Sequence, residues 1–210
     1  AIGDSLTVGT GAPKKKGFSY LLTDKMKMDC GVDPVLRNFG VVGATTSEIV
    51  DRLRTDPALR QSVGESDIVT VTAGGNDLIQ AAMRMYVRGE TRSMKPSMRV
   101  FMLNYQTLIR EMVDANRKGS GNGILIVTDC YNPFPRVRDA VFWIRFVNRS
   151  IYRTAEAFQE HVVVARTYDA FLSKESTLFS ADGVHPNDEG HALIAETVMD
   201  AILDRFPSAK

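Results

Sequence analysis

The 210-residue chain has little of what builds metal and redox centres: two cysteines, Cys30 and Cys130, and three histidines, His161, His185 and His191. The cysteines form no C-x-x-C and no metal spacing, so two free, packed thiols are expected. Asp182, His185, Asp188 and His191 crowd one stretch, but their pattern is not that of a metal set, and no metal is expected. There is no G-x-G-x-x-G and no P-loop lysine, which argues against a nucleotide-binding domain. No apolar run reaches the roughly 18 residues of a spanning helix, so no integral membrane segment is expected. Neither sign of charge is in excess: 26 Lys+Arg stand against 25 Asp+Glu, which excludes a bulk electrostatic nucleic-acid binder. The Lys14-Lys15-Lys16 run reads as a solvated loop. No linker, repeat or low-complexity tract divides the chain, so one domain over residues 1–210 is expected.

What is present is an alternation of apolar strands and amphipathic helices. Strands are expected at Val35–Phe39, Asp67–Thr72, Ile124–Thr128 and His161–Ala165, with a short one ending at Ile2. The run Ile68-Val69-Thr70-Val71 is nearly all β-branched, as in a strand buried on both faces. Helices are expected over Gly17–Met28 (Phe18, Leu21, Leu22, Lys25 and Met26 on the inward face) and after the capping-box pattern Thr45-Thr46-Ser47-Glu48. Others fall at Leu78–Val87, Val100–Asn116 (Val100, Leu103, Leu108, Met112 and Ala115 inward), Arg138–Phe158 and Asn187–Phe206. Gly89–Pro96 and Gly119–Gly123 break the pattern. Strand–helix alternation of this kind implies an α/β fold, a parallel sheet with helices on both faces. The long connection at about 78–123 is an elaboration near the carboxyl edge of the sheet.

Four short blocks fall at predicted strand ends or before the last helix. The first is Gly3-Asp4-Ser5-Leu6, with Gly9 and Gly11 behind it. A hydroxyl there sits at the carboxyl edge of the sheet, where open α/β sheets place their ligands. A serine hydroxyl needs a base within hydrogen-bond reach. His161 opens a strand and His191 lies within a helix, which leaves His185. Asp182, three residues before it, can accept from the imidazole and fix its tautomer. A tetrahedral oxyanion needs donors set in advance. The Ser5 and Gly43 backbone N–H groups and the Asn76 side chain each follow a strand and meet the same edge.

Gly-Asp-Ser-Leu, Asn38-x-Gly40-x-x-Gly43, Gly75-Asn76-Asp77 and Asp182-x-x-His185-Pro186, in this order, resemble the SGNH/GDSL hydrolase superfamily of esterases and lipases. The resemblance implies a flavodoxin-like, three-layer α/β/α sandwich with a five-stranded parallel sheet. It implies Ser5 as nucleophile, His185 as base, Asp182 as its partner, and Ser5, Gly43 and Asn76 as the oxyanion hole. Asp4 matches the acid before the nucleophile and is expected to hold the turn. No cofactor and no metal are implied. Members are often exported. Only Ala1 and Ile2 precede Gly3, where a strand has about five residues, so the natural chain is expected to begin upstream and a secreted or cell-surface location is favoured.

The substrate class that follows is a small-molecule or lipid ester. Aromatic residues from Tyr131 to Phe146 and the methionines Met83, Met85, Met94, Met98 and Met102 suit the walls of an acyl groove. Rival readings are a carbohydrate O-acetylesterase or thioesterase of the same family and, more remotely, a non-catalytic glycan- or lipid-binding module.

Overall fold

The computed structural model describes residues 1–12, 16–119 and 123–206. Lys14 and Lys15 of the lysine run, and Ser120 to Asn122 of the glycine-rich loop, lie outside them; Lys16 is exposed. Five strands form one parallel sheet: β1 (Ile2–Gly3), β2 (Phe39–Gly40), β3 (Ile68–Thr72), β4 (Ile124–Thr128) and β5 (Val162–Ala165). Their order is β2-β1-β3-β4-β5, the flavodoxin-like order, whose reversal beside β1 opens a crevice at the carboxyl edge.

Among the described residues ten helices connect and cover the strands: α1 (Ser5–Val8), α2 (Phe18–Cys30), α3 (Thr46–Thr55), α4 (Pro57–Glu65), α5 (Gly75–Ala82), α6 (Met94–Lys118), α7 (Arg138–Ala157), α8 (Thr167–Phe171), α9 (Glu175–Leu178) and α10 (Asp188–Arg205). A π-helical turn, Met83–Val87, continues α5. Side-chain alternation along β4 splits the core in two. Leu125 and Val127 join α3 to α7 on one face, and Ile124 and Ile126 join α2 and α8 to α10 on the other. Both faces of the central strands are therefore dry, which accounts for their unbroken apolar sequences. Among the described residues no helix is long and apolar enough to cross a membrane.

Four expectations need correction. The strand at Val35–Phe39 is reduced to Phe39–Gly40, which pairs in parallel with Ile2 and Gly3 of β1, and Val35 is exposed. Val100 and Leu103 face solvent. α6 begins at Met94, within the stretch expected to break the pattern, and buries Met98, Phe101 and Tyr105 in their place, while Leu108, Met112 and Ala115 are buried as expected. Two apolar registers compete on that helix, and the one carrying the two aromatic rings removes more surface from water. The turn after β1 closes as the short helix α1. Helix α4 was not foreseen, although Asp56 caps it through Ala58 and Leu59 N–H with Pro57 at the first position, a start signal legible in Asp-Pro.

Candidate active site

Ser5 is the first residue of α1, two residues past the end of β1 with Asp4 between. The turn is held by buried polar side chains. Asp4 Oδ1 accepts from Leu6 N–H (3.0 Å) and from the Thr72 hydroxyl (2.9 Å), and Thr72 Oγ1 in turn accepts from Asp4 N–H at 3.2 Å. Thr7 Oγ1 lies 2.9 Å from Thr72 Oγ1. Gly3 makes this approach feasible: a Cβ there would stand 2.2 Å from the Thr72 carbonyl oxygen. Burial raises the Asp4 pKa to about 6, against the lowering effects of its hydrogen bonds and of His185.

His185 comes from the other end of the chain and meets the serine: Nε2 lies 3.0 Å from Ser5 Oγ, and Nδ1 lies 2.6 Å from Asp182 Oδ2. The other oxygen of Asp182 accepts from Ser180 Oγ (3.0 Å), Val184 N–H (2.8 Å) and His185 N–H (2.9 Å). Partial desolvation raises the Asp182 pKa, but the bonds from the His185 ring, the two backbone N–H groups and Ser180 outweigh it and hold the carboxyl well below its usual range. An ionised carboxylate only accepts, so Nδ1 carries the proton. In the neutral ring Nε2 is then the acceptor facing the serine O–H.

The histidine loop is braced independently. Phe179 and Pro186 form an antiparallel bridge, Ser180 N–H donates to His185 O (2.8 Å), and Tyr131 Oη donates to Val184 O (2.9 Å). Asn187 caps α10 through Gly190 N–H. At Gly11 (φ +94°) a Cβ would fall 2.1 Å from Pro186 O, so the loop behind the serine touches the histidine loop backbone to backbone. Ser180, Tyr131, Thr72 and Gly11 were not singled out as site residues from sequence. Only Thr72, a hydroxyl ending an apolar strand, carried a readable signal.

Gly43 and Asn76 also reach this edge. Asn76 Nδ2 donates to Ala44 O (3.0 Å), which ties the start of α5 to the loop after β2, and among the described residues its second N–H has no acceptor. Asp77 reinforces the tie by accepting from Thr46 N–H (3.0 Å) and Thr46 Oγ1 (2.6 Å); burial raises its pKa. Gly43 sits in an exposed turn at φ +80°. Among the described residues the Ser5 and Gly43 N–H groups have no hydrogen-bond acceptor; for Ser5 this follows from its place in the first turn of a helix.

His191 is fully buried; its Nδ1 accepts from Phe18 N–H and its Nε2 faces Thr10 O, so it joins α10 to the segment before α2. His161 opens the β5 edge, where its carbonyl accepts from Leu125 N–H. Both thiols are free. Among the described residues no group of three or more His, Cys, Asp or Glu side chains is arranged to hold a metal ion.

A cavity of ≈ 430 Å³ opens beside Ser5 and His185, with Leu78, Ile79, Met94, Phe134 and Trp143 in its walls. Of the other methionines expected there, Met98 is in the core, Met85 and Met102 pack against it, and Met83 is exposed. A larger cavity, ≈ 650 Å³, lies among Ile2, Val35, Arg37 and Ile68 at the amino ends of the strands and holds none of these site residues.

The chain as a whole resembles known proteins. Residues 1–193 match the model of the GDSL-like Lipase/Acylhydrolase family. The spore germination lipase LipC of Bacillus licheniformis is 30% identical over 207 residues, 98% of this chain and 96% of LipC. Among solved structures, the lipase Lip_vut3 from a goat rumen metagenome superposes with a TM-score of 0.85 at 29% identity, covering 95% of this chain and 94% of Lip_vut3. Axe2, an acetylxylan esterase from Geobacillus stearothermophilus, shares the fold (TM-score 0.73, 19% identity, 96% of this chain and 91% of Axe2).

Proposed function

Because the chain belongs to the GDSL-like lipase/acylhydrolase family and is a carboxylic ester hydrolase, we propose that it works through a covalent acyl-enzyme on Ser5. The observation that carries this reading is the unbroken line Asp182–His185–Ser5, with contacts of 2.6 and 3.0 Å. Ser5 Oγ attacks the ester carbonyl while His185 Nε2 takes its proton. Asp182 stays ionised and stabilises the imidazolium that forms. The negative charge on the former carbonyl oxygen is met by Ser5 N–H, Gly43 N–H and the free N–H of Asn76. His185 returns the proton to the leaving alkoxide, the alcohol departs, and water then repeats the sequence on the acyl-Ser5 ester. Asp4 holds the nucleophile turn and touches no reacting atom.

The walls of the ≈ 430 Å³ cavity favour an apolar acyl chain longer than acetyl. The test is a series of p-nitrophenyl esters from acetate to octanoate, run with Ser5→Ala as control. Ser5→Ala is expected to lower kcat by roughly 10⁴–10⁶ with an unchanged circular dichroism spectrum. Equal activity in the two proteins removes the nucleophile assignment. Medium-chain esters are expected to match or exceed acetate; a steep fall with every added carbon reassigns the cavity to acetyl esters.

A further inference from the structure

The mouth of the acyl cavity is formed by two segments: residues 83–95, running from the π-helical turn to the start of α6, and residues 134–145, entering and opening α7. The first supplies Tyr86 and Met94 to the cavity and the second supplies Phe134, Val137 and Trp143. Tyr86 Oη donates to Asp139, joining the two across the opening.

Their charge differs from that of the rest of the molecule. Together they carry Arg84, Arg88, Arg92, Lys95, Arg136, Arg138 and Arg145 against only Glu90 and Asp139, whereas carboxylates outnumber cations over the rest of the chain. Outside the mouth Lys25, Lys27, Arg37, Arg52, Arg54 and Arg166 sit in ion pairs, and other cations there, Arg60, Arg110 and Arg153 among them, are unpaired among the described residues, so what sets the mouth apart is its excess of cations over carboxylates. Among the described residues none of the seven at the mouth is paired with a carboxylate. All but Arg84 are exposed. Between them stand large apolar side chains in solvent: Met83 at 50% exposure, Tyr86 at 56%, Val87 at 71%, Phe134 at 46%, Val137 at 51% and Phe142 at 61%.

Unpaired cations explain attraction to an anion, and exposed apolar side chains explain entry into hydrocarbon. A surface that interleaves the two has the character of an interfacial membrane-binding element, and the segments that carry it also supply walls of the cavity beside Ser5. We propose that the mouth docks onto an anionic lipid surface, the cations on headgroup phosphates and the apolar side chains below them, so that an acyl chain passes from the lipid into the cavity without crossing water. This rests on the esterase reading for its purpose, but the docking itself can be measured without catalysis.

The experiment uses Ser5→Ala, which cannot consume the lipid, in co-sedimentation with vesicles of phosphatidylglycerol and phosphatidylcholine at equal molar parts, and with phosphatidylcholine alone. Binding is expected to be at least tenfold tighter to the anionic vesicles and to weaken in 0.5 M salt (about a 4 Å Debye length). Adding Arg88→Gln, Arg92→Gln and Arg136→Gln is expected to lower anionic-vesicle affinity by roughly a hundredfold or more. The same triple change with Ser5 intact is expected to leave p-nitrophenyl acetate turnover within about twofold of the parent, since none of the three lines the cavity. Equal binding to both vesicles, or an unchanged affinity in the triple variant, overturns the docking proposal while leaving the esterase reading intact. Equally tight binding to soluble polyglutamate overturns the lipid as partner. Vesicle binding by a protein with no Ser5-dependent ester hydrolysis leaves docking in place and removes the esterase reading instead.

Discussion

Asp4 and Asp182 flank the same Ser5–His185 pair in opposite surroundings. Asp4 is buried in the turn between β1 and α1, where loss of water raises its pKa to about 6. Asp182 stands in a loop with its side chain 49% exposed, and hydrogen bonds hold its carboxyl well below the usual range. Both accept backbone N–H groups, so hydrogen bonding alone does not separate them. Solvent does: a carboxylate with water and four donors stays charged at little cost, whereas one buried away from water with two donors resists ionisation. The exposed acid is therefore suited to stabilising a transient imidazolium, and the buried one to holding the turn that carries the nucleophile.

The comparison breaks most directly at Asp182. Asp182→Asn is expected to lower kcat about 10⁴-fold by favouring the wrong imidazole tautomer, with the melting temperature little changed because the side chain is half in water. Steady-state kinetics beside thermal unfolding checks both parts, and a kcat within tenfold of the parent would contradict the assignment.

A smaller loss is expected at the oxyanion donors. Asn76→Ala should cost about 10²–10³ in kcat with KM nearly constant, measured on a short soluble ester. A change confined to KM would place Asn76 in substrate binding instead.

Asp4 should report in stability rather than rate. Its folded pKa of about 6 lies above the ordinary 3.8, so between those values the folded protein holds a proton that the unfolded chain has lost. Stability therefore falls as pH rises through that window, by an amount of the order of 3 kcal/mol for this group. Asp182, with a lowered pKa, acts with the opposite sign and at lower pH, losing its contribution as pH falls below about 4. Asp4→Asn keeps the Oδ1 acceptor and should flatten the decline between pH 4 and 6 in urea unfolding; an unchanged slope would mean that Asp4 is not the group responsible.

The smallest effect is expected at Tyr131→Phe, which removes one bond to the Val184 carbonyl in the histidine loop. A loss of roughly 1 kcal/mol in stability and a severalfold drop in kcat, with the pH profile of kcat unshifted, would mark it as a positioning residue.

The sheet and the candidate chemistry were legible because each depends on local sequence. Unbroken β-branched runs identify strands dry on both faces. Ser5, Asp182, His185, Gly43 and Asn76 fall at predicted strand ends or in the loop before a capped helix, where an α/β fold gathers them. The helix phase of α6 was not legible, since two apolar registers overlap there and burial of Phe101 and Tyr105 decides between them. Nor were the braces: Gly11 looks like any turn glycine until the Pro186 carbonyl stands against it, and Tyr131 like any core aromatic until its hydroxyl meets Val184. The sequence alone determined the fold class and pointed to the proposed reacting groups, because periodicity and short motifs are properties of neighbouring residues. Tertiary structure alone decided which carboxylate stays charged, which cations go unpaired and what surrounds the acyl cavity, because burial and long-range contact depend on residues far apart in the chain.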